Sequence, residues 1–234
     1  MIIPDAHTHI DYIDRLNPDA HAVVNSVIED DWLKVAQLCH ERLGLIPALG
    51  LHPWYLTAQL CHNTEWRTRL DNLLSTVPNV TVGEVGLDRS TIVPLSVQTE
   101  ILEMQLESAK QHNCAVSIHC FKAFDILIPI IRRYNLTYIL HGYSGSVEIT
   151  KQLLDMNCYF SFGMIQPNRL NKLSTIVSLI PKERLLVESD GKAEADLTTT
   201  AKLLEVEAAQ LCENFKKAIS PRKDAGRFIG TRKF

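Results

Sequence analysis

Two histidines separated by one residue close the first apolar run of the chain, Met1-Ile2-Ile3-Pro4-Asp5-Ala6-His7-Thr8-His9. Alternate side chains of a strand share a face, so His7 and His9 point the same way, about 6–7 Å apart along the backbone and within reach of one cation. Further apolar runs end on Glu84, His119, His141 and Asp190, all of them residue types that bind metals. Imidazole and carboxylate donors together suit zinc, manganese or magnesium, and six of them exceed what one catalytic metal uses. Two divalent cations about 3.5–4 Å apart need a group between them that offsets their repulsion, and Glu84 is the candidate bridge. Water held between two such cations is acidified to hydroxide near neutral pH; it can attack phosphorus or a carbonyl carbon and pass its proton to Asp190.

Each residue also has an ordinary structural reading. His119 and His141 could be buried strand histidines satisfied by hydrogen bonds, Glu84 could cap a helix, and Asp190 could be the N-cap of the last helix. His52, in Gly50-Leu51-His52-Pro53-Trp54, closes one more run; it could contact substrate or a metal-bound water, or hold the turn that Pro53 fixes. What favours a shared site is the recurrence of such residues at the ends of successive runs.

The elements that must position these groups follow from hydrophobic period. Strand candidates are Ile2–His9, Ala22–Ile28, Ile46–His52, Val80–Glu84, Ala115–His119, Tyr138–His141, Tyr159–Gly163 and Leu185–Asp190. Amphipathic helices are expected at about Asp31–Leu43, Thr64–Thr76, Ser96–His112, Phe124–Tyr134, Ser146–Asp155 and Arg169–Leu179, with a last one from about Leu197 to Ala218. Asn63 or Thr64 and a Ser96/Glu100 pair resemble helix starts, and Gly44 resembles a helix end.

Eight strands alternating with helices imply a parallel sheet closed into a (β/α)8 TIM barrel, an α/β fold in which the strand ends converge on one mouth. A doubly wound open sheet usually carries a Gly-rich phosphate turn after its first strand, and His7-Thr8-His9 occupies that place. The expected organisation is one barrel over residues 1–218 and a basic tail over 219–234.

Composition bounds the function. The chain has 234 residues, 46% hydrophobic and 22% charged, sufficient for one large core, with no apolar stretch near the roughly 20 residues of a membrane helix. No membrane association and a cytoplasmic location are expected. Cys39, Cys61, Cys114, Cys120, Cys158 and Cys212 form no Cys-x-x-Cys pair and are expected mostly as small buried hydrophobes. The net charge of −3 divides unevenly, since the stretch from Lys216 onward carries seven basic residues against Asp224 alone. A basic tail can hold a polyanion by counterion release, although a solvated end is its commoner meaning.

Asp5-Ala6-His7-Thr8-His9, Gly50-Leu51-His52-Pro53, Gly83-Glu84-Val85-Gly86-Leu87-Asp88, His119-Cys120, His141-Gly142-Tyr143-Ser144-Gly145, Phe160-Ser161-Phe162-Gly163 and Glu188-Ser189-Asp190 resemble, in order, the signature segments of the TatD family of metal-dependent barrels related to amidohydrolases. Cys212-Glu213-Asn214-Phe215 resembles that family's terminal Asn-containing helix. The resemblance implies a deoxyribonuclease or related phosphodiesterase, with His7, His9, Glu84 and Asp190 around one metal and Glu84, His119 and His141 around the other. Three positions depart from the family pattern. Phe121-Lys122 stands where many members place an arginine, so Lys122 would supply phosphate charge without the guanidinium fork. Gly191 follows Asp190 where a small residue and proline are common, which implies a looser loop. Only 23 residues separate Asp190 from Asn214, so the eighth unit is expected to be shortened.

DNA is therefore the expected substrate, with His52, Lys122, Tyr143 and Ser144 as expected contacts; Tyr143 and Phe121 could stack on bases. An ester, lactone or amide hydrolase on the same barrel is the enzymatic alternative, because fold alone does not choose between phosphorus and carbon. A non-catalytic metal-stabilised module that docks on nucleic acid is the other.

Overall fold

A computed structural model describes residues 1–165, 170–192 and 195–220. The five basic residues of the expected tail, Arg222, Lys223, Arg227, Arg232 and Lys233, lie outside the described residues. So does Arg169, the expected start of one helix.

Eight parallel strands are hydrogen-bonded in chain order: β1 (Asp5–His9), β2 (Ala22–Asn25), β3 (Leu45–Leu49), β4 (Thr81–Asp88), β5 (Val116–Phe121), β6 (Tyr138–Leu140), β7 (Cys158–Phe162) and β8 (Leu185–Val187). The seam between β8 and β1 is drawn together by backbone groups. Asp190 N–H donates to the His7 carbonyl at 2.9 Å, and Ser189 N–H donates to the Asp5 carboxylate at 2.9 Å. The chain is thus a TIM barrel.

The helices are α1 (Trp32–Glu41), α2 (Gln59–His62), α3 (Glu65–Thr76), α4 (Leu95–His112), α5 (Phe124–Tyr134), α6 (Val147–Leu154), α7 (Leu170–Val177), α8 (Leu197–Leu203) and α9 (Ala208–Ile219). Between β1 and β2 the chain makes only a 3-10 turn, Ile10–Arg15, so the first connection breaks strict alternation. No helix of the described residues is long and apolar enough to cross a membrane.

Outward strand residues such as Val24, Leu49, Ile118, Leu140 and Phe160 pack in one cluster with Trp32, Leu70, Leu106 and Ile131 from the helices. Inward residues form two layers. The lower is apolar: Ala6, Val23, Ala48, Ile139, Tyr159 and Leu186 close the floor with Phe215 and Ala218 of α9. Asn214 ties that helix to the barrel, its side-chain amide donating to the carbonyls of Lys182 (2.7 Å) and Leu185 (2.8 Å). The upper inward layer is polar and lies under the mouth where the strands end.

Two local expectations and one alternative reading fail for identifiable reasons. The long last helix is two helices, because Glu205 adopts a left-handed φ of 55° after α8. Val206 N–H then bonds the Ala201 carbonyl and Glu205 N–H the Lys202 carbonyl, at 3.1 Å each, a helix stop that usually carries glycine and here carries none. The Ser96/Glu100 pair does not cap α4, whose N-cap is Pro94. Nor is Asp190 an N-cap: α8 is capped by Asp196, whose carboxylate accepts from Thr198 N–H at 2.9 Å.

Candidate metal centre

Strand alternation would place Ala6 and His7 on opposite faces, yet both face inward. The pairing of β1 with β2 shifts register between Asp5 and Thr8, and that irregularity lets Ala6 join the floor while His7 turns up into the site. A second shift, between Val82 and Val85 in β4, accompanies Glu84. There β4 and β5 approach so closely that a Cβ on Gly86 would fall 1.8 Å from the His119 carbonyl oxygen.

Glu84 lies at the centre of the expected residues, and its two oxygens face different groups. Oε2 is 3.3 Å from His7 Nε2 and 3.6 Å from His9 Nε2. Asp190 Oδ1 joins that side, 3.9 Å from His7 Nε2 and 3.7 Å from His9 Nε2. Oε1 is 2.9 Å from His119 Nδ1, 3.0 Å from His141 Nε2 and 3.3 Å from His52 Nε2. The His7 and His141 rings stack with centroids 3.9 Å apart. All six expected ligands therefore surround one small volume.

The outer partners decide which nitrogen faces inward. His9 Nδ1 lies 3.2 Å from the Asn25 carbonyl, an obligate acceptor, so its proton sits there and Nε2 turns a lone pair inward. Asp88 Oδ2, 3.0 Å from His119 Nε2, and Glu188 Oε1, 3.3 Å from His141 Nδ1, orient those rings likewise. Two imidazole lone pairs then confront Glu84 Oε1 at about 3 Å, which is unfavourable unless a proton or cation lies between them. That donor set fits divalent cations.

His52 differs. Its Nδ1 accepts the Trp54 N–H at 3.2 Å, so in the neutral ring Nε2 carries the proton and donates toward Glu84. It holds both the turn and the central carboxylate, and in that tautomer it has no lone pair for a metal, although it lies within ligand distance.

Electrostatics follow from burial and proximity. Burial pushes His7 down to about 4, with the neighbouring His141 adding to the effect. For Glu84 burial works against the charged form, but His141, His7 and the hydrogen bond from His119 hold its pKa well below the usual carboxylate range. Burial likewise opposes charge on His141, and is overridden by Glu84 and Glu188, which raise its pKa well above the ordinary value. Asp190 also stays ionised: burial is outweighed by the His9 hydrogen bond and by His141 and His7.

The remaining expected contacts are dispersed. Tyr143 is buried, its hydroxyl 2.8 Å from Thr150 Oγ1 and its ring against Phe124, Phe160 and Phe162, so it packs in the core. Ser144 is exposed beside a hollow of about 240 Å³ that Glu188, Asp190 and Lys192 also line. Lys122 is exposed after the histidine of β5, with its ammonium 5.1 Å above the Phe121 ring. Directly after Asp190 the backbone packs closely on Tyr12: Gly191 has φ 63°, and a Cβ there would meet the Tyr12 ring at 2.6 Å.

Sequence reasoning assigned no role to Asp88 and Glu188. Both stand an even number of residues from a metal-type residue on the same strand or its extension, Asp88 four after Glu84 and Glu188 two before Asp190, and that spacing was the available signal.

Eight parallel strands with a histidine and carboxylate cluster at their C-terminal mouth define a metal-dependent hydrolase of the barrel type. The chain belongs to the TatD related DNase family, whose profile matches residues 4–196. It is 28% identical over 205 residues to the uncharacterized metal-dependent hydrolase YjjV of Escherichia coli, covering 80% of this chain and 78% of that one. It is 29% identical over 162 residues to the uncharacterized metal-dependent hydrolase YabD of Bacillus subtilis, covering 67% of this chain and 62% of the relative. A 3'-5' ssDNA/RNA exonuclease TatD of Pantoea ananatis is 29% identical over 153 residues, 61% of this chain and 56% of the relative. The crystal structure of the E. coli TatD homologue YjjV superposes with a TM-score of 0.74 at 23% identity, covering 93% of both chains, and shares the fold.

Proposed function

We propose that this hydrolase cleaves phosphodiester bonds of DNA at a two-metal site, one cation held by His7, His9, Glu84 and Asp190 and the other by Glu84, His119 and His141. The observation that carries the reading is the division of Glu84, with Oε2 toward β1 and Oε1 toward the histidines of β5 and β6. A carboxylate that faces two separate sets of donors could serve two cations at once. The relative named as a single-stranded DNA and RNA exonuclease supports nucleic acid as the substrate class.

Divalent cations held by these residues would acidify water and neutralise charge on the phosphate. The protein's own groups do the rest. Asp190, kept ionised by His9, His141 and His7, accepts the proton of the attacking water. Lys192, its ammonium 2.6 Å from Asp190 Oδ2, leaves Oδ1 turned toward the two histidines of β1. His52 steadies the central carboxylate by its Nε2–H.

The test is release of nucleotides from single-stranded DNA with magnesium, manganese or zinc, paired with elemental analysis. Cleavage abolished by chelator and by Glu84→Ala, with two equivalents of metal per chain, is the expected result. A metal-loaded protein inert on nucleic acids overturns the substrate, and a single equivalent in a fully active protein overturns the two-metal site.

A further inference from the structure

The wall of the mouth beside His52 and His119 is aromatic. Trp54 and Tyr55, in the 3-10 turn Pro53–Tyr55, are each 53% exposed, whereas Trp32 and Trp66 are 1% exposed and belong to the core. Trp54 lines the same cavity of about 440 Å³ as Glu84, His119, His141 and Asp190, a size typical of small-ligand sites.

An exposed indole usually keeps its rotamer freedom, and this one does not. Its N–H donates to Asp88 Oδ2 at 2.6 Å. The His52 ring lies perpendicular to it at 5.2 Å and 89°, and the His119 ring at 6.3 Å and 76°. A ring already fixed by its neighbours loses little further entropy when a planar group stacks on its open face. The register of that group is also set relative to His119, because Asp88 holds both side chains. Phe121 is a weaker candidate: it is 40% exposed and the Lys122 ammonium already lies over its ring.

We infer that Trp54 is the stacking platform for the nucleobase adjoining the scissile phosphodiester. The inference rests on the phosphodiesterase reading. A base inside a duplex has both faces covered by its neighbours, so only an unpaired or terminal base can present a face to Trp54. Recognition thus uses the π-face, which every base has, and not hydrogen-bond readout; strands of any sequence are accepted.

The experiment compares kcat/KM of the metal-loaded protein on single-stranded oligothymidylate and on the same strand with abasic terminal residues, for wild type, Trp54→Ala and Trp54→Phe. Wild type prefers the base-bearing strand by about tenfold or more, as expected for one stacked base. Trp54→Ala brings that ratio close to one, chiefly through KM. Trp54→Phe keeps most of the ratio although it has lost the bond to Asp88, which separates the ring's role from the hydrogen bond's. A second readout needs no turnover: in chelator, oligothymidylate quenches the fluorescence of wild type but not of Trp54→Phe, which retains Trp32 and Trp66. An undiminished ratio in Trp54→Ala, or cleavage by wild type with no discrimination, overturns the platform and leaves the phosphodiesterase reading standing. Failure of wild type to cleave any nucleic acid removes both.

Discussion

Asp88 Oδ2 sits 3.0 Å from His119 Nε2, and the same oxygen receives the Trp54 indole N–H at 2.6 Å. Hydrogen bonds from Ser90 and Trp54 outweigh burial and hold the Asp88 carboxyl down at about 2, so it is an ionised acceptor throughout the physiological range. The proton of His119 is thereby kept on Nε2, and its other nitrogen faces Glu84.

Asp88→Asn should release that constraint, because an amide can turn its NH2 toward His119 and force the ring's proton inward. A loss of about 10–100-fold in metal affinity or kcat is expected, as for other outer partners of metal-binding histidines. Metal titration by calorimetry measures it; unchanged affinity and rate would remove Asp88 from the site.

Ions bound at the proposed centre should stabilise the fold by mass action, by about 2.7 kcal/mol at a hundredfold excess over Kd. Stripping the protein with chelator should lower Tm, and readding magnesium, manganese or zinc should restore it in proportion to the logarithm of concentration. A melting curve indifferent to all three metals contradicts the ligand assignment.

The barrel floor should be the most sensitive part of the fold away from the site. Phe215 fills the lower layer against residues from the strands, and Phe215→Ala is expected to cost about 3–5 kcal/mol of unfolding free energy. Urea unfolding reads this directly, and a loss under 1 kcal/mol would mean that α9 does not seal the barrel.

Burial pushes the thiols of Cys39, Cys114, Cys120 and Cys158 up to about 12. Their thiolate fraction at neutral pH is negligible, so they should resist alkylation in the native protein. In guanidinium all six should react at one rate. Rapid native labelling of Cys158, located by mass spectrometry, would contradict the closed lower barrel.

Gly191→Ala should damage function more than stability. The new methyl has to displace the Tyr12 ring, and the left-handed backbone disfavours any residue with a Cβ. Asp190 precedes it directly, so a loss of kcat of about tenfold or more is expected, read beside Tm to separate site from fold. Wild-type kcat in this variant would show that the loop tolerates movement.

The strand count and the parallel barrel were legible because buried parallel strands are short aliphatic runs, and from β2 onward successive runs are separated by helices of amphipathic period. The six clustered residues were legible because each ended such a run, and barrel closure brings run ends together. Helix stops were less so: Glu205 takes a conformation that glycine usually marks, and nothing local announces it. Tyr143 read as a ligand contact from its place beside His141, yet the chain turns after β6 and sends the ring into the core.

Residue types and their spacing carried the fold, the family and the identity of the groups that meet at the mouth, since these depend on period and on chemistry that each residue brings with it. Orientation depended on coordinates. Which nitrogen of each imidazole faces inward, which oxygen of Glu84 meets which strand, and that Trp54 shares a carboxylate with His119 are set by contacts between segments far apart in the chain. A linear pattern holds no record of such contacts, because hydrogen-bond direction is a property of two partners in space and not of either one alone.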